Sequence, residues 1–329
     1  VWVKKREEII IDFTVLEEFQ QSTGFFANKI TSYDKYNFYK LENLGIFDNN
    51  NPIIVLPNSE KDEVFWQNNR HENLNTKEEI IYNMVDSIKS MPVFNTYLDI
   101  ITTITTGYYI KGLFEIGPYM SLLSFNEIEG TRIGIGFRTS NDFSKTIMPY
   151  GNIAYGFRDD KIKYGAGILY MLNKIPRRTI NINYNKDLTQ LGKSENSLGN
   201  DNFLATAFTR GDIDNLLMNQ NIKLTSEYEW FDGFMTNLSI NYNEIYSDYD
   251  QDFRLKVKNN TQNFNQINNL EIETEIRYAY KERFVSGEFV RVSLGSKYPI
   301  SSLKISKGLN NYDYWKINFN FTYWFNIGA

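Results

Sequence analysis

Asp248, Asp250 and Asp252, in the segment SDYDQDF, stand at the spacing of the oxygen ligands in a calcium loop. The glycine such a loop needs for its sharp turn is missing, as is the distal bidentate Glu, so a solvated acidic loop is the stronger reading. Asp212 and Asp214 read the same way. Arg177-Arg178, directly after Pro176, could grip a phosphate or carboxylate, or simply end a strand with charge. Glu271, Glu273 and Glu275 form an acidic ladder on one strand face. Together with Arg132, Arg138, Arg158, Arg277 and Arg291, also on polar strand faces, they could build an internal charge network or merely line a polar interior. Gly134, Gly136, Gly151, Gly156, Gly165 and Gly167 cluster in neighbouring segments. No Lys-Ser/Thr follows them and no helix opens, which excludes a phosphate loop and leaves bends or close packing. His71 is the single histidine and lies in loop sequence, so no Ser-His-Asp arrangement can be built. No carboxylate pair is singled out for hydrolysis. The expectation is a protein that is not an enzyme, with no catalytic, cofactor-binding or metal-binding residue.

The elements that must position these residues are strands. In Trp315–Phe325, Trp315, Ile317, Phe319, Phe321, Tyr323 and Phe325 fall on one face, and Lys316, Asn318, Asn320 and Thr322 on the other. Side chains of a strand alternate between faces, so this is a strand with one apolar and one polar side. The same pattern recurs in Ile116–Phe125, Arg132–Arg138, Thr146–Arg158, Lys161–Leu172, Thr179–Asp187, Asn221–Phe231, Phe234–Tyr246, Leu270–Tyr280, Phe284–Leu294 and Ser302–Lys307. Asp159-Asp160, Asp232-Gly233, Lys281-Glu282-Arg283 and Gly308–Asn311 read as the turns of hairpins. The gaps Leu188–Asn202, Thr209–Asn219 and Ser247–Asn269 are longer and polar. Ahead of the strands, residues 1–48 read as short strands and residues 49–75 as loop. Thr76 with Glu79 reads as the capping box of one amphipathic helix, 76–91, closed by Pro92, its stripe made of Ile80, Ile81, Met84, Val85, Ile88 and Met91.

Aromatic residues make up 16% of the 329-residue chain, yet the net charge is −5 and mean hydropathy is only −0.45. A barrel in a membrane reconciles these, because half of each strand faces a polar lumen and the loops are polar. No run of about 18 apolar residues exists, so a transmembrane helix is excluded. Charges of both signs are dispersed, so no basic nucleic-acid footprint appears. Cysteine is absent, so nothing depends on disulfides. Trp230, Tyr246, Tyr280, Trp315 and Tyr323 sit near strand ends, where interfacial aromatics belong. A soluble β-sandwich with its charges on the solvent face is the competing reading.

Three blocks carry a resemblance: TKEEIIYNMVDSIKSMP, FEIGPYMSLLSFNEIEGTRIGIGFRTSNDFSK and YGNIAYGFRDDKIKYGAGILYMLNKIPRRTI. Across Trp66–Gly192 they resemble the Bacteroidota outer-membrane family catalogued as a domain of unknown function, DUF5686. Asn126–Arg138 and Tyr155–Tyr170 also resemble the barrel half of the Omp85, or bacterial surface antigen, superfamily. The family resemblance implies a periplasmic, carboxypeptidase-regulatory-like β-domain upstream and further strands beyond Ala329. The expected organisation is therefore the end of a periplasmic β-rich domain (1–48), a linker with the helix (49–95), and an all-β, antiparallel transmembrane barrel of about twelve or more strands (96–329), truncated at its C-terminus. The Omp85 likeness implies a role in assembly, insertion or export of outer-membrane proteins within a larger complex; a passive or substrate-specific channel is the alternative. Expected partners are outer-membrane lipid and lipopolysaccharide and other outer-membrane or periplasmic proteins, with no nucleic acid.

Overall fold

The computed structural model describes residues 2–14, 24–33, 36, 61–70, 73–126, 128–190, 216–246, 253–257, 260–264, 266–310 and 312–324; at 12–14, 24–26, 190, 216, 253–257 and 260–264 only the backbone is described. The chain divides into two compact units, one of residues 1–48 with 54–85 and one of residues 49–53 with 86–329.

In the first unit β1 (Arg6–Thr14) pairs antiparallel with β2 (Gly24–Ser32). Hydrogen bonds from Lys4, at 2.5 Å, and from the Tyr33 hydroxyl, at 3.0 Å, hold the Glu7 carboxyl below its ordinary pKa. Helix α1 (Glu63–Asn69) is capped by Asp62, whose Oδ1 accepts the Phe65 N–H at 2.8 Å. Helix α2 (Thr76–Ser90) is capped one residue earlier than expected. Asn75 Oδ1 accepts the N–H groups of Lys77 and Glu78, and Glu78 reaches back to the Asn75 N–H at 2.8 Å.

Pro92 does not close a helix; it opens α3 (Pro92–Thr106), which ends at Gly107 in the left-handed region (φ 82°). The expectation of one helix is thus corrected to three α-helices among the described residues, and α3 spans the expected 95/96 boundary. The strands follow in chain order: β3 (Tyr109–Lys111), β4 (Phe114–Ile116), β5 (Leu123–Asn126), β6 (Gly130–Thr139), β7 (Ile147–Gly156), β8 (Lys161–Asn173), β9 (Arg178–Gln190), β10 (Leu216–Phe231), β11 (Phe234–Tyr246), β12 (Phe253–Val257), β13 (Asn260–Phe264), β14 (Gln266–Ala279), β15 (Phe284–Ser286), β16 (Arg291–Ser293), β17 (Ile300–Leu309) and β18 (Tyr314–Thr322).

Twelve strands form one antiparallel sheet, in the order β18-β17-β14-β11-β10-β9-β8-β7-β6-β4-β3, with β5 also on β6. The sheet is open: among the described residues β18 and β3 do not pair. The expected strand Ile116–Phe125 is broken at Gly117-Pro118 and by a 3-10 turn at Tyr119–Ser121, so β4 and β5 share β6 as partner. The expected strand Phe284–Leu294 is not in the sheet either. It is the small hairpin β15–β16, and β14 pairs directly with β17. The two long connections, 191–215 and 247–265, leave the same end of the sheet. That end also carries the short turns after β7 and β17, so short turns occur at both ends.

Gly136 is where a side chain would collide with the backbone. A Cβ there would strike the Gly117 carbonyl oxygen, while the Gly117 N–H donates to the Gly136 carbonyl at 2.9 Å. Gly134 is confined less tightly, with a would-be Cβ 3.0 Å from the Ala154 Cβ and 3.1 Å from the Ser121 carbonyl oxygen. The 117–122 segment therefore lies against β6 only because these residues lack side chains.

Burial is inverted relative to a water-soluble sheet. Lys163 (0% exposed), Glu129 (1%) and Glu282 (1%) are buried, whereas Ile182 and Ile317 are 50% and 68% exposed. On β6–β11, β14 and β18 the exposed large hydrophobic side chains are Ile, Leu, Phe, Tyr and Trp.

Gly136→Val should destabilise the fold by about 1–3 kcal/mol by overpacking, read from the denaturant midpoint. Gly287→Val, where a Cβ meets nothing nearer than 3.5 Å, should change it by less than half as much.

Candidate functional site

The polar face of the large sheet gathers nearly all the chemistry. Because registers run in step across neighbouring strands, residues far apart in sequence share rows. One row joins Gly136, Asn152, Gly165, Asn185, Asn221, Asn243 and Asn269. Its amides bond to one another: Asn243 Oδ1 accepts Asn221 Nδ2 at 2.7 Å and Asn219 Nδ2 at 3.3 Å, and Asn221 Nδ2 also reaches Asn241. The next row carries Tyr150, Gly167, Asn183, Lys223, Asn241 and Glu271.

Charged clusters flank this amide zone. Toward the long-connection end, Lys163 Nζ is held between Glu129 at 2.7 Å and Asp159 at 2.5 Å. Arg132 grips Asp187 with both Nη atoms, at 2.6 and 2.8 Å, and reaches Glu129 at 3.3 Å. Arg132 lies on β6 and Asp187 on β9, so this contact spans the two strands between them. The small residues Gly134, Ala154 and Gly156 beneath it leave the space. Lys163 is encased because its alternatives, water or apolar packing, are both denied to an ammonium buried here.

At the opposite end, Arg177 donates through Nε to Glu227 (3.1 Å) and through Nη2 to the Phe289 carbonyl (2.9 Å). Arg291 reaches Glu229 at 3.0 Å and stacks 4.1 Å from the Phe284 ring centroid. Arg277 pairs bidentately with Glu282 at 2.6 and 2.7 Å, and Ser293 donates to Glu282 at 2.5 Å. These bonds tie β15–β16 across the polar face of that end. They are also the physical reason the Phe284–Leu294 segment leaves the sheet.

The acidic ladder is confirmed as a set of partners on one face. Glu271 accepts from the Tyr314 hydroxyl (2.5 Å) and Lys316 (2.7 Å), Glu273 meets Lys304 at 3.4 Å, and Glu275 accepts from Asn237 at 3.2 Å. Arg138 bonds Glu115 at 2.6 Å with its guanidinium 3.8 Å from the Tyr108 ring centroid. Arg158 stands exposed just beyond β7. Arg177 is engaged internally and faces the polar side, so it does not offer itself to an external phosphate. Arg178 lies on the other face, 4.2 Å from the Tyr228 ring centroid. His71, Asp212, Asp214, Asp248, Asp250 and Asp252 lie outside the described residues. Among the described residues no three His, Cys, Asp or Glu side chains converge as a metal site requires.

Sequence reading did not single out Lys163, Glu129, Asp159, Asp187, Glu115, Glu227, Glu229 or Glu282. Strand parity was the available signal for Lys163, Glu115 and Glu229, since each stands between apolar neighbours; Asp187 and Glu227 each have one polar neighbour, Lys186 and Ser226, which blurs it. Glu129, Asp159 and Glu282 sit in turns, where parity is silent.

Lys163→Met should cost about 3–5 kcal/mol of stability, because it leaves Glu129 and Asp159 buried without their cation. Adding Glu129→Gln and Asp159→Asn should restore more than half of the loss in urea unfolding.

These features define a class: an antiparallel β protein with its ion pairs and amides gathered on one face of the sheet and its large apolar side chains exposed on the other. Residues 98–329 match the family described as "Family of unknown function (DUF5686) C-terminal domain", which covers most of the chain, and the chain belongs to that family. No curated protein and no solved structure matches it.

Proposed function

We propose that the second unit is the barrel part of an outer-membrane protein of a Gram-negative bacterium, with lipid against its apolar face and a polar lumen within. The residues before it are then periplasmic. The observation that carries this is the inverted polarity of the large sheet. In water an apolar face of this extent would be an association surface; against hydrocarbon it needs no partner. The aliphatic rows, such as Ile168–Ile182–Leu224–Ile240–Ile272, run between aromatic margins. Tyr184 and Tyr228 mark those margins in the β9–β10 pair. Tyr184 is level with Ile222, six residues from Tyr228, or about 20 Å along the strand. Tyr228 and Trp230, with ring centroids 4.6 Å apart, and Tyr280 and Tyr298, 4.9 Å apart, rim the end opposite the long connections. Arg178 at the same margin suits a lipid or lipopolysaccharide phosphate. Helix α3 fits an apolar surface as well. Val93, Tyr97, Ile100, Ile101 and Ile104 are exposed along one side, and Thr96, Thr103, Thr105 and Thr106 return their hydroxyls to backbone carbonyls of the helix.

The role we infer is non-catalytic, in assembly, insertion or export of outer-membrane proteins within a larger complex. The supporting feature is the outer edge of β18. Trp315, Ile317, Phe319 and Phe321 make this strand fit for lipid, yet among the described residues only β17 pairs with it. Unpaired backbone groups in hydrocarbon cost several kcal/mol each, so this edge calls for a further β-strand beside it, from this protein or from a partner in the complex. The second reading, a passive or substrate-specific channel, is favoured by the amide-lined face.

Ile240→Arg and Asn241→Arg alter neighbouring residues on opposite faces. The first should weaken insertion into lipid bilayers by about 2–4 kcal/mol, the second by less than 1 kcal/mol, measured by folding into liposomes. Equal effects would sink the lipid-facing assignment. Depletion of the protein should lower the abundance of other outer-membrane proteins in quantitative proteomics. Unchanged levels, together with large stable single-channel openings, would instead establish the channel.

A further inference from the structure

We propose that the polar face of β7–β10 holds a binding site for a neutral, polyhydroxylated ligand, an uncharged oligosaccharide segment. The site is a hollow of about 250 Å³ lined by Tyr150, Asn152, Gly165, Asn183, Asn185 and Asn221, among others. Its floor is made by absence. On β8 the polar-face positions level with these amides are Gly165 and Gly167, so no side chain rises between β7 and β9. Both glycines are needed. A Cβ on Gly165 would come within 2.7 Å of the Oδ1 atoms of Asn152 and Asn185, and one on Gly167 would strike the Tyr150 ring.

Three properties of the hollow select the ligand. The amides of Asn152, Asn183 and Asn185 have no hydrogen-bond partner among the described residues, and each offers donors and an acceptor together. That combination matches hydroxyl groups, which also donate and accept. The Oδ1 of Asn219, at the hollow's edge, is buried without a partner, a cost that a ligand hydroxyl would remove. The Tyr150 ring lies across Gly167, fixed by its hydroxyl donating to Asn181 Oδ1 at 2.9 Å, and supplies the aromatic wall on which the C–H face of a sugar ring packs. The nearest carboxylate, Asp187, is neutralised by Arg132. Asp187 is the one charged residue in the lining, so no unpaired charge in the wall favours an ion over a neutral ligand. The proposal rests on the polar face alone and stands apart from the assembly role.

Calorimetric titration of the purified full chain in detergent micelles with maltohexaose tests it. Saturable binding is expected, weakened at least tenfold by Asn185→Leu and by Tyr150→Ala and unchanged by Thr225→Ala, which lies outside the hollow. An oligogalacturonate of the same length should bind at least tenfold more weakly than maltohexaose. Asn185→Gln, which keeps the amide while crowding the floor, should also weaken binding if the Leu variant fails to fold. Absence of saturable binding with both maltohexaose and cellohexaose overturns the proposal. So does an affinity that the hollow variants leave unchanged, or an equal affinity for the charged oligomer. Any of these results would leave the lipid-facing assignment standing, because that is tested by Ile240→Arg.

Discussion

Lys163, enclosed between Glu129 and Asp159 with Arg132 and Asp187 beside them, is the constraint on which the rest of the sheet depends. A sheet whose apolar side chains point outward draws no cohesion from a hydrophobic core. Its strands must be joined by backbone ladders and by polar contacts across the inner face. An ammonium in such a place is tolerable only with its carboxylates in position, and the carboxylates are tolerable only with their cations. The cluster therefore ties the turns before β6 and before β8 to the body of β9. At the other end Arg177, Arg277 and Arg291 do the same for β10, β14 and the β15–β16 hairpin.

Between these two charged zones the polar face of β7–β9 carries mainly amides and glycines. Amide groups suit such a middle layer because they bond laterally in a row without creating a field. The alternation of Asn with Gly on β7–β9 leaves room where Asn alone would fill it. The outer face obeys a different rule, aliphatic in the centre and aromatic at the margins. One backbone thus carries two independent designs, separated by the two-residue period of the strand.

That period is why so much of the fold was legible. β6–β11, β14, β17 and β18 are each visible as alternation, and Asp159-Asp160 and Asp232-Gly233 announce their turns. Helix α3 was hidden because Ile100–Thr106 is almost wholly β-branched, which reads as strand. The helix forms nonetheless, with threonine hydroxyls bonded back to its carbonyls. The Phe284–Leu294 segment alternates like a strand, but the ion pairs of Arg291 and Glu282 draw it out of the sheet. Of the site, the acidic residues of β14 and several arginines could be read from parity. The asparagine row could not, because its five asparagines come from five strands and meet only through register.

The registers from β6 to β14 run without interruption except at Met171/Asn173 and Glu229/Phe231, both beside the short turns of one end. A bulge there shifts only the last residues of a strand. A single residue gained or lost in the middle of β9 or β10 would exchange the two faces over half the strand, moving Asn to the outside and Ile to the inside. Insertions and deletions are thereby tolerable only in the connections between strands. The strand interiors are free to change in residue type but not in number.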